Sequence, residues 1–173
     1  PMMKFADALA GTFNQKDGLV DPNSVVMGYI GAAQRLGAKA VSRAEVTGIR
    51  VSGNQVEAVE TAAGSIKTRA VLNAAGPWAG VVGEMTGVRI PIVPVRRQMF
   101  TTTPIPEVPD DYPFVIDFAQ SLYFHREGDG LLVGMSNPDQ SPGFDQNVDE
   151  DFELTNMDAA AARLPLLERA GRV

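Results

Sequence analysis

The stretch Leu122–Met135 reads LYFHREGDGLLVGM and decides the architecture. Leu122–Arg126 and Leu131–Met135 are short β-rich runs, and Glu127-Gly128-Asp129-Gly130 between them is a strong hairpin signal. Alternation along the first run puts Tyr123 and His125 on one face. Upstream, Phe114–Phe118 reads as a further strand. Ile92–Phe100 reads as another, made edge-like or bulged by Pro94. Pro104–Pro113 holds four prolines and three acids and is expected as a surface loop. Downstream, Asn137–Gln146 is a polar loop. Asp149-Glu150-Asp151 opens a helix with acids at its positive end, which runs through Ala159–Arg163 until Pro165 breaks it, and Leu166–Ala170 forms a last turn.

The first half has a different texture. In Asp21-Pro22-Asn23-Ser24, Asp21 can cap a helix and Pro22 suits its first position. Val26, Tyr29/Ile30, Ala33 and Leu36 recur at helical spacing, and Gly37 stops the run. Gly28 and Gly31 inside it cost roughly 1 kcal/mol each against Ala, which reads as close packing of the helix on a sheet. Ala38–Val41 and Val46–Val51 are β-rich, Ser52-Gly53-Asn54 is a turn, and Val56, Ala58 and Glu60 alternate with Glu57, Val59 and Thr61. Ala63-Gly64 turns again, and Ile66–Ala75 returns as a third strand, its end Val71–Gly76 reading as buried. Ala79–Thr86 is a short helix stopped by Gly87. Helix, meander, short helix, antiparallel strands and helix define a mixed α/β chain of the α+β kind.

The composition excludes several chemistries. Among 173 residues there is no Cys and one His, and 15 Lys+Arg against 21 Asp+Glu give a net charge of −6. Disulfides, thiolate zinc sites, iron–sulfur clusters, cysteine nucleophiles and multi-histidine metal sites are out. The acidic balance argues against nucleic acid as a partner. The longest uncharged run, Ala70–Gly83, has 14 residues, too few to cross a bilayer as a helix. No secretory leader is visible after Pro1, so a cytoplasmic location is expected. Pro1 and Val173 also suggest a piece of a longer chain.

No phosphate-cradling G-x-G-x-x-G, Walker loop, G-x-S-x-G or EF-hand pattern occurs, and no metal site is expected. The acids Asp110-Asp111 and Asp149-Glu150-Asp151 read as solvated loop and cap charges. Asn73-Ala74-Ala75-Gly76-Pro77-Trp78-Ala79 is the most informative segment. A strand ends in small residues, turns on Gly-Pro and enters a helix, and small residues there let a ligand approach the backbone. A plain strand-to-helix turn is the alternative.

Gly18-Leu19-Val20-Asp21-Pro22, the helix with Gly37-Ala38, Glu45-Val46-Thr47-Gly48-Ile49 and Val71–Trp78 together resemble the D-amino-acid oxidase/sarcosine oxidase family of FAD-dependent amine oxidoreductases. Pro94-Val95-Arg96-Arg97-Gln98 and Leu122–Gly134 resemble the substrate-domain sheet of its sarcosine and dimethylglycine branch. The resemblance covers nearly the whole chain in consistent order. It implies that residues 20–86 are the middle of a discontinuous FAD-binding domain (helix, β-meander and strand). Residues 1–19 and 87–173 would be part of a substrate domain, a mainly antiparallel sheet covered by helices. Val46 would then meet the adenine through its backbone, and Ala74, Ala75 and Gly76 would approach the ribose–pyrophosphate side with Trp78 beside them.

By the same resemblance the Tyr123/His125 face would look onto the flavin, and both are candidate catalytic residues, although His125 is not expected to be an obligatory base. Arg97 or Arg126 would hold a substrate carboxylate bidentately. The implied reaction is oxidation of a C–N bond in an amine or N-methyl amino acid by hydride transfer to flavin. The partner is a small molecule, and a homo-oligomer is possible. Without the dinucleotide fingerprint and the C-terminal flavin segment, this chain alone is expected to bind FAD poorly or not at all. Two competing readings are a non-catalytic binding module on the same scaffold and a flavin dehydrogenase of a polyol phosphate such as glycerol 3-phosphate.

Overall fold

The computed structural model describes residues 2–173, which form two compact units. Unit 1 takes Arg96–Ser141 and Asp145–Val173 together with the residues up to Leu19, and unit 2 takes Val20–Val95 with Pro142–Phe144. The boundary expected at residue 86 therefore lies inside unit 2.

Unit 2 starts with helix α1 (Pro22–Arg35). Asp21 caps it as expected, its carboxylate accepting from the N–H groups of Asn23 at 3.3 Å and Ser24 at 2.8 Å. Gly37, at φ +94°, ends it. The close packing expected at Gly28 and Gly31 is not found. No residue of α1 is buried, a Cβ on Gly28 would meet nothing within 4 Å, and one on Gly31 would meet only the Arg35 side chain.

Three antiparallel strands follow in the order β1-β2-β3: β1 (Val46–Ser52), β2 (Gln55–Thr61) and β3 (Gly64–Lys67). Ala58 is wholly buried and Ile49 nearly so, while Arg50 lies outside and bridges to Glu57 and Glu60. Two expected strands are corrected. Ala38–Val41 is irregular and leads to Arg43 at φ +56°, a left-handed turn in place of an extended run. The strand expected over Ile66–Ala75 stops at Lys67. The Thr68 hydroxyl donates to the Ala70 carbonyl and accepts from the Ala70 N–H, which bends the chain out of the ladder. Val71–Ala75 is then irregular, and Leu72 is 92% exposed rather than buried, before the short helix α2 (Ala79–Glu84) follows as expected.

Unit 1 is built on one antiparallel sheet in the order β4-β7-β6-β5, from β4 (Gln98–Thr101), β5 (Val115–Asp117), β6 (Leu122–Glu127) and β7 (Gly130–Met135). The β6–β7 hairpin turns on Gly128-Asp129, with Glu127 facing Gly130 and Gly128 at φ +57°. Of the strand expected over Ile92–Phe100, only Gln98 onward joins the sheet. Pro94 supplies no N–H, and Val95 makes a single bridge to Pro142.

Helix α3 (Glu150–Arg163) is capped by Asp149 and lies against the sheet. The core between them holds Phe100, Leu122, Phe124, Leu131, Val133, Met135, Ala160 and Leu164. The Pro104–Pro113 segment is not a plain surface loop. Ile105, Val108 and Tyr112 are at most 6% exposed and belong to this core, while its prolines and acids face outward. A hydrogen bond from the Ile105 N–H to the Asp129 carbonyl at 2.8 Å pins the loop to the hairpin turn.

Arg163, in the last turn of α3, gathers unit 1. Its Nε donates to Asp117 Oδ2 at 2.8 Å and its Nη2 to Asp7 Oδ2 at 2.8 Å, and the guanidinium lies 5.0 Å from the centre of the Phe5 ring. Burial alone would raise the Asp117 carboxyl. Hydrogen bonds from Gln120 and Arg163 outweigh it and hold the group below the ordinary 3.8. Because the folded value is the lower one, the stabilisation is complete above pH 3.8 and is lost as pH falls through the folded value. Asp117→Asn is therefore expected to lower the chain's stability at pH 7 and to flatten its acid limb, as measured by denaturant titrations between pH 2 and pH 7.

Candidate functional site

Strand alternation gives the sheet of unit 1 two unlike faces. One is buried under α3. On the other, the register sets Tyr123 beside Gly134 and Ile116, with Met99 on the far side of Gly134 and His125 beside Leu132. Met99 is 54% and Ile116 46% exposed, so this face is open and largely apolar. Tyr123 and His125 do share it, as the spacing requires. Phe114 tilts against both, at 5.9 Å from the Tyr123 ring and 5.3 Å from the His125 ring.

Gly134 explains how Tyr123 lies. A Cβ added there would come within 2.3 Å of the tyrosine ring and hydroxyl, so the ring rests flat on the bare backbone of β7. Burial raises the Tyr123 phenol, and the nearby positive charge of Arg97 opposes part of the rise. Tyr123 thus stays a neutral hydroxyl at pH 7, able to donate and accept. His125 Nδ1 lies 2.7 Å from the Arg126 carbonyl. A carbonyl only accepts, so in the neutral ring the proton sits on Nδ1 and Nε2 is left as an acceptor.

The two arginines have different surroundings. Arg97 is exposed and has no ion pair among the described residues, and its charge is felt at Tyr123. Arg126 points to the other side of the strand. It donates to the Val108 carbonyl at 2.7 Å, and it pairs with Asp110 at 3.0 Å and with Asp129 at 3.7 Å. Arg96 is consumed as well, by Gln140, Asp145, Asp149 and the Asn147 carbonyl.

In unit 2, Val46 is half-buried and opens β1 opposite Thr61, with a bulge following. Ala74 and Gly76 are exposed and Ala75 is half-buried. Gly76 sits at φ +53° with nothing within 4 Å of a built Cβ, so its backbone is open to a ligand. Trp78 is 45% exposed and stacks on Phe144, their centroids 5.5 Å apart.

Sequence reasoning gave no role of their own to Asn73 and Gly134. Asn73 Oδ1 accepts from the Ala75 N–H and its Nδ2 donates to the Ala79 carbonyl, which fixes the small-residue turn. Asn just before a Gly-Pro turn was the available signal. Gly134 gave none, because a glycine in a strand does not say which ring covers it.

An open apolar sheet face carrying an Arg, a Tyr and a His, on a chain without thiols, is equipped to orient a small charged molecule beside a cofactor that brings the reactivity. The small-residue turn of unit 2 has the exposed backbone that a dinucleotide contact requires. Both fit the substrate and cofactor sides of a cofactor-dependent oxidoreductase. The comparison with known proteins makes this particular. Residues 1–173 match the family of FAD dependent oxidoreductases (DAO), and the chain belongs to that family. It is 32% identical to dimethylglycine dehydrogenase, mitochondrial, of Mus musculus over 98% of its own length and 22% of the relative's. It is 33% identical to sarcosine dehydrogenase, mitochondrial, of Mus musculus over 99% of its length and 20% of the relative's. The chain thus spans about a fifth of these relatives. Among solved structures, L-proline dehydrogenase from P.horikoshii matches with a TM-score of 0.79 and 27% identity, covering 88% of this chain and 41% of that one. Among the described residues, no helix is long and apolar enough to cross a membrane.

The Tyr123–Gly134 contact has a measurable consequence. Gly134→Ala should lift the ring off β7, lower the Tyr123 phenol toward 10 in an ultraviolet pH titration, and cost about 1–3 kcal/mol of stability.

Proposed function

We propose that the whole protein is an FAD-dependent oxidoreductase that oxidises the C–N bond of a secondary or tertiary N-methyl amino acid, of the sarcosine or dimethylglycine kind. The observation that carries this reading is the open face of unit 1. Arg97, which has no ion pair among the described residues, stands there beside Tyr123 on an apolar floor. The names of the curated relatives support the substrate class.

The chemistry divides between protein and cofactor. Bound FAD supplies the acceptor for the hydride equivalent that leaves the carbon next to the substrate nitrogen. The rest falls to side chains of this chain. Arg97 pairs with the carboxylate, a bidentate match for its planar guanidinium. The Tyr123 hydroxyl, neutral and held flat over Gly134, donates to the same carboxylate or to the nitrogen. His125 Nε2, the free acceptor of the neutral ring, takes the proton that leaves the substrate ammonium, so that the amine is neutral, the form that can lose hydride. Met99, Ile116 and Phe114 give that face its apolar floor. Arg126, committed to Val108 and Asp110, acts as a brace for the β6 strand in this reading.

Unit 2 supplies the cofactor side. Its open Ala74-Ala75-Gly76 backbone takes the ribose–pyrophosphate, Trp78 lies alongside, and the Val46 main chain meets the adenine. Residues 20–86 are read as part of the FAD-binding domain, and residues 1–19 and 87–173 as part of the substrate domain. The 173-residue chain alone retains little or no FAD.

A longer protein that includes this chain should purify yellow, and dimethylglycine or sarcosine should bleach its flavin band anaerobically. A colourless protein, or a flavin that neither amine reduces, overturns the reading. In that protein Arg97→Ala should raise KM for the amino acid about 10–100-fold, as expected for the loss of a charged hydrogen bond. It should leave a carboxylate-free N-methylamine unaffected, and steady-state kinetics on the two substrates separate the effects.

A further inference from the structure

Arg97 can meet a substrate only if nothing in the protein holds it first. It lines a cleft of about 330 Å³ together with Asp145, Gln146 and Glu153. Two of these are carboxylates, and an exposed arginine beside an exposed carboxylate gains by pairing with it. Arg97 nevertheless has no ion pair among the described residues. The sheet does not fix its main chain either. The ladder with β7 begins at Gln98, and the preceding bridge joins Val95 to Pro142, so Arg96 and Arg97 lie between the two.

The neighbouring arginine accounts for both facts. The Arg96 side chain is 13% exposed, and four acceptors hold its guanidinium. Its Nε donates to Gln140 Oε1 at 3.0 Å and its Nη1 to Asp145 Oδ2 at 3.0 Å and to the Asn147 carbonyl. Its Nη2 donates to Asp149 Oδ2 at 3.4 Å. Gln98 is tied to the same segment, its Oε1 accepting from the Asp149 N–H and its Nε2 donating to the Asp149 carbonyl. The side chains before and after Arg97 are thus both anchored to residues 145–149. Alternation then turns Arg97 the other way, onto the side of Met99. Each carboxylate of the cleft also has a cation already, Asp145 in Arg96 and Glu153 in Arg172.

We infer that Arg96 is a positioning residue for Arg97: by occupying Asp145 and anchoring the 145–149 segment, it keeps the Arg97 guanidinium unpaired and open to an anionic substrate group. This rests on the reading of Arg97 as the carboxylate-binding residue. The adjacent pair divides two tasks. One arginine satisfies the protein's own carboxylates, which leaves the second for the substrate's. A planar fork of five donors suits the first task, because a single ammonium could not reach the same four acceptors in fixed directions.

The test removes the occupant and then the competitor. In the longer protein, Arg96→Gln leaves Asp145 without a cation, and Asp145 captures Arg97. KM for the N-methyl amino acid should rise about three- to fivefold, the scale of an exposed ion pair. Saturated kcat, and kcat/KM for a carboxylate-free N-methylamine, should stay as they were. Adding Asp145→Asn to Arg96→Gln should restore KM, which it could not do for a clamp that is merely structural. Gln146→Glu keeps the clamp whole and adds an unpaired carboxylate at an exposed position of the same cleft. It should raise KM in the same way, and it decides the matter if Arg96→Gln does not fold.

A second readout involves no substrate. The charge of Arg97 lowers the Tyr123 phenol, so its capture should push that phenol further above 10 in the 173-residue chain, and Asp145→Asn should reverse the rise. Ultraviolet pH titration, taken as the difference from Tyr123→Phe, reads both. An unchanged phenol and an unchanged KM in Arg96→Gln and in Gln146→Glu overturn the proposal. So does a rise in KM that Asp145→Asn fails to reverse. A phenol that responds as expected beside an unmoved KM upholds the role of Arg96 and removes the substrate reading of Arg97.

Discussion

The segregation of the unit 1 sheet into a buried and an open face is the constraint on which the rest depends. Phe124, Leu131 and Val133 can leave water only if their strand neighbours Tyr123, His125, Leu132 and Gly134 point the other way. The α3 helix and the Ile105–Tyr112 loop cover the first set, while the Phe114 ring leans on Tyr123 and His125 in the second and leaves Met99 and Ile116 exposed. A one-residue slip in β6 would exchange Tyr123 and His125 for Leu122 and Phe124. The apolar core therefore holds the polar groups of the open face in place, and the same hydrophobic burial that stabilises the sheet aims its chemistry.

That face was legible because it rests on a period of two. The hairpin at Gly128-Asp129, the pairing of Tyr123 with His125, the Asp21 cap and the Asp149-led helix all follow from local chemistry written in a few residues. The errors have an equally physical origin. The runs Ala38–Val41 and Val71–Ala75 have strand composition, but a strand exists only where a neighbour completes its ladder, and neither run has one among the described residues. The prolines of the 104–113 segment signalled an exposed loop. They hid Ile105, Val108 and Tyr112, whose burial is a tertiary matter.

Residue types at the site were easier to name than their roles. Sequence alone could not separate Arg96, Arg97 and Arg126, because each is an arginine beside a strand. What distinguishes them is the set of partners across sequence separations of up to 53 residues: Arg96 meets Asp145 and Asp149, Arg126 meets the Val108 carbonyl and Asp110, and Arg97 meets none among the described residues. Gly134 belongs to the same category. Its meaning lies in the Tyr123 ring that rests on it, and that contact depends on how β6 pairs with β7.

The composition then takes on a different sense. A chain with no Cys and one His has few ways to make or break bonds by itself. The groups it does offer on the open face are a phenol kept neutral by burial, an imidazole with its proton directed to a backbone carbonyl, and a guanidinium that is always charged. None of these is an electron acceptor, but all are suited to fixing the charge state and orientation of a small zwitterion. Such a set holds no thiol nucleophile. It suffices for a reaction in which hydride leaves the substrate for a cofactor, because there the protein need only hold the amine neutral and the carboxylate anchored. The scarcity of reactive side chains is thus part of the same assignment as the family membership.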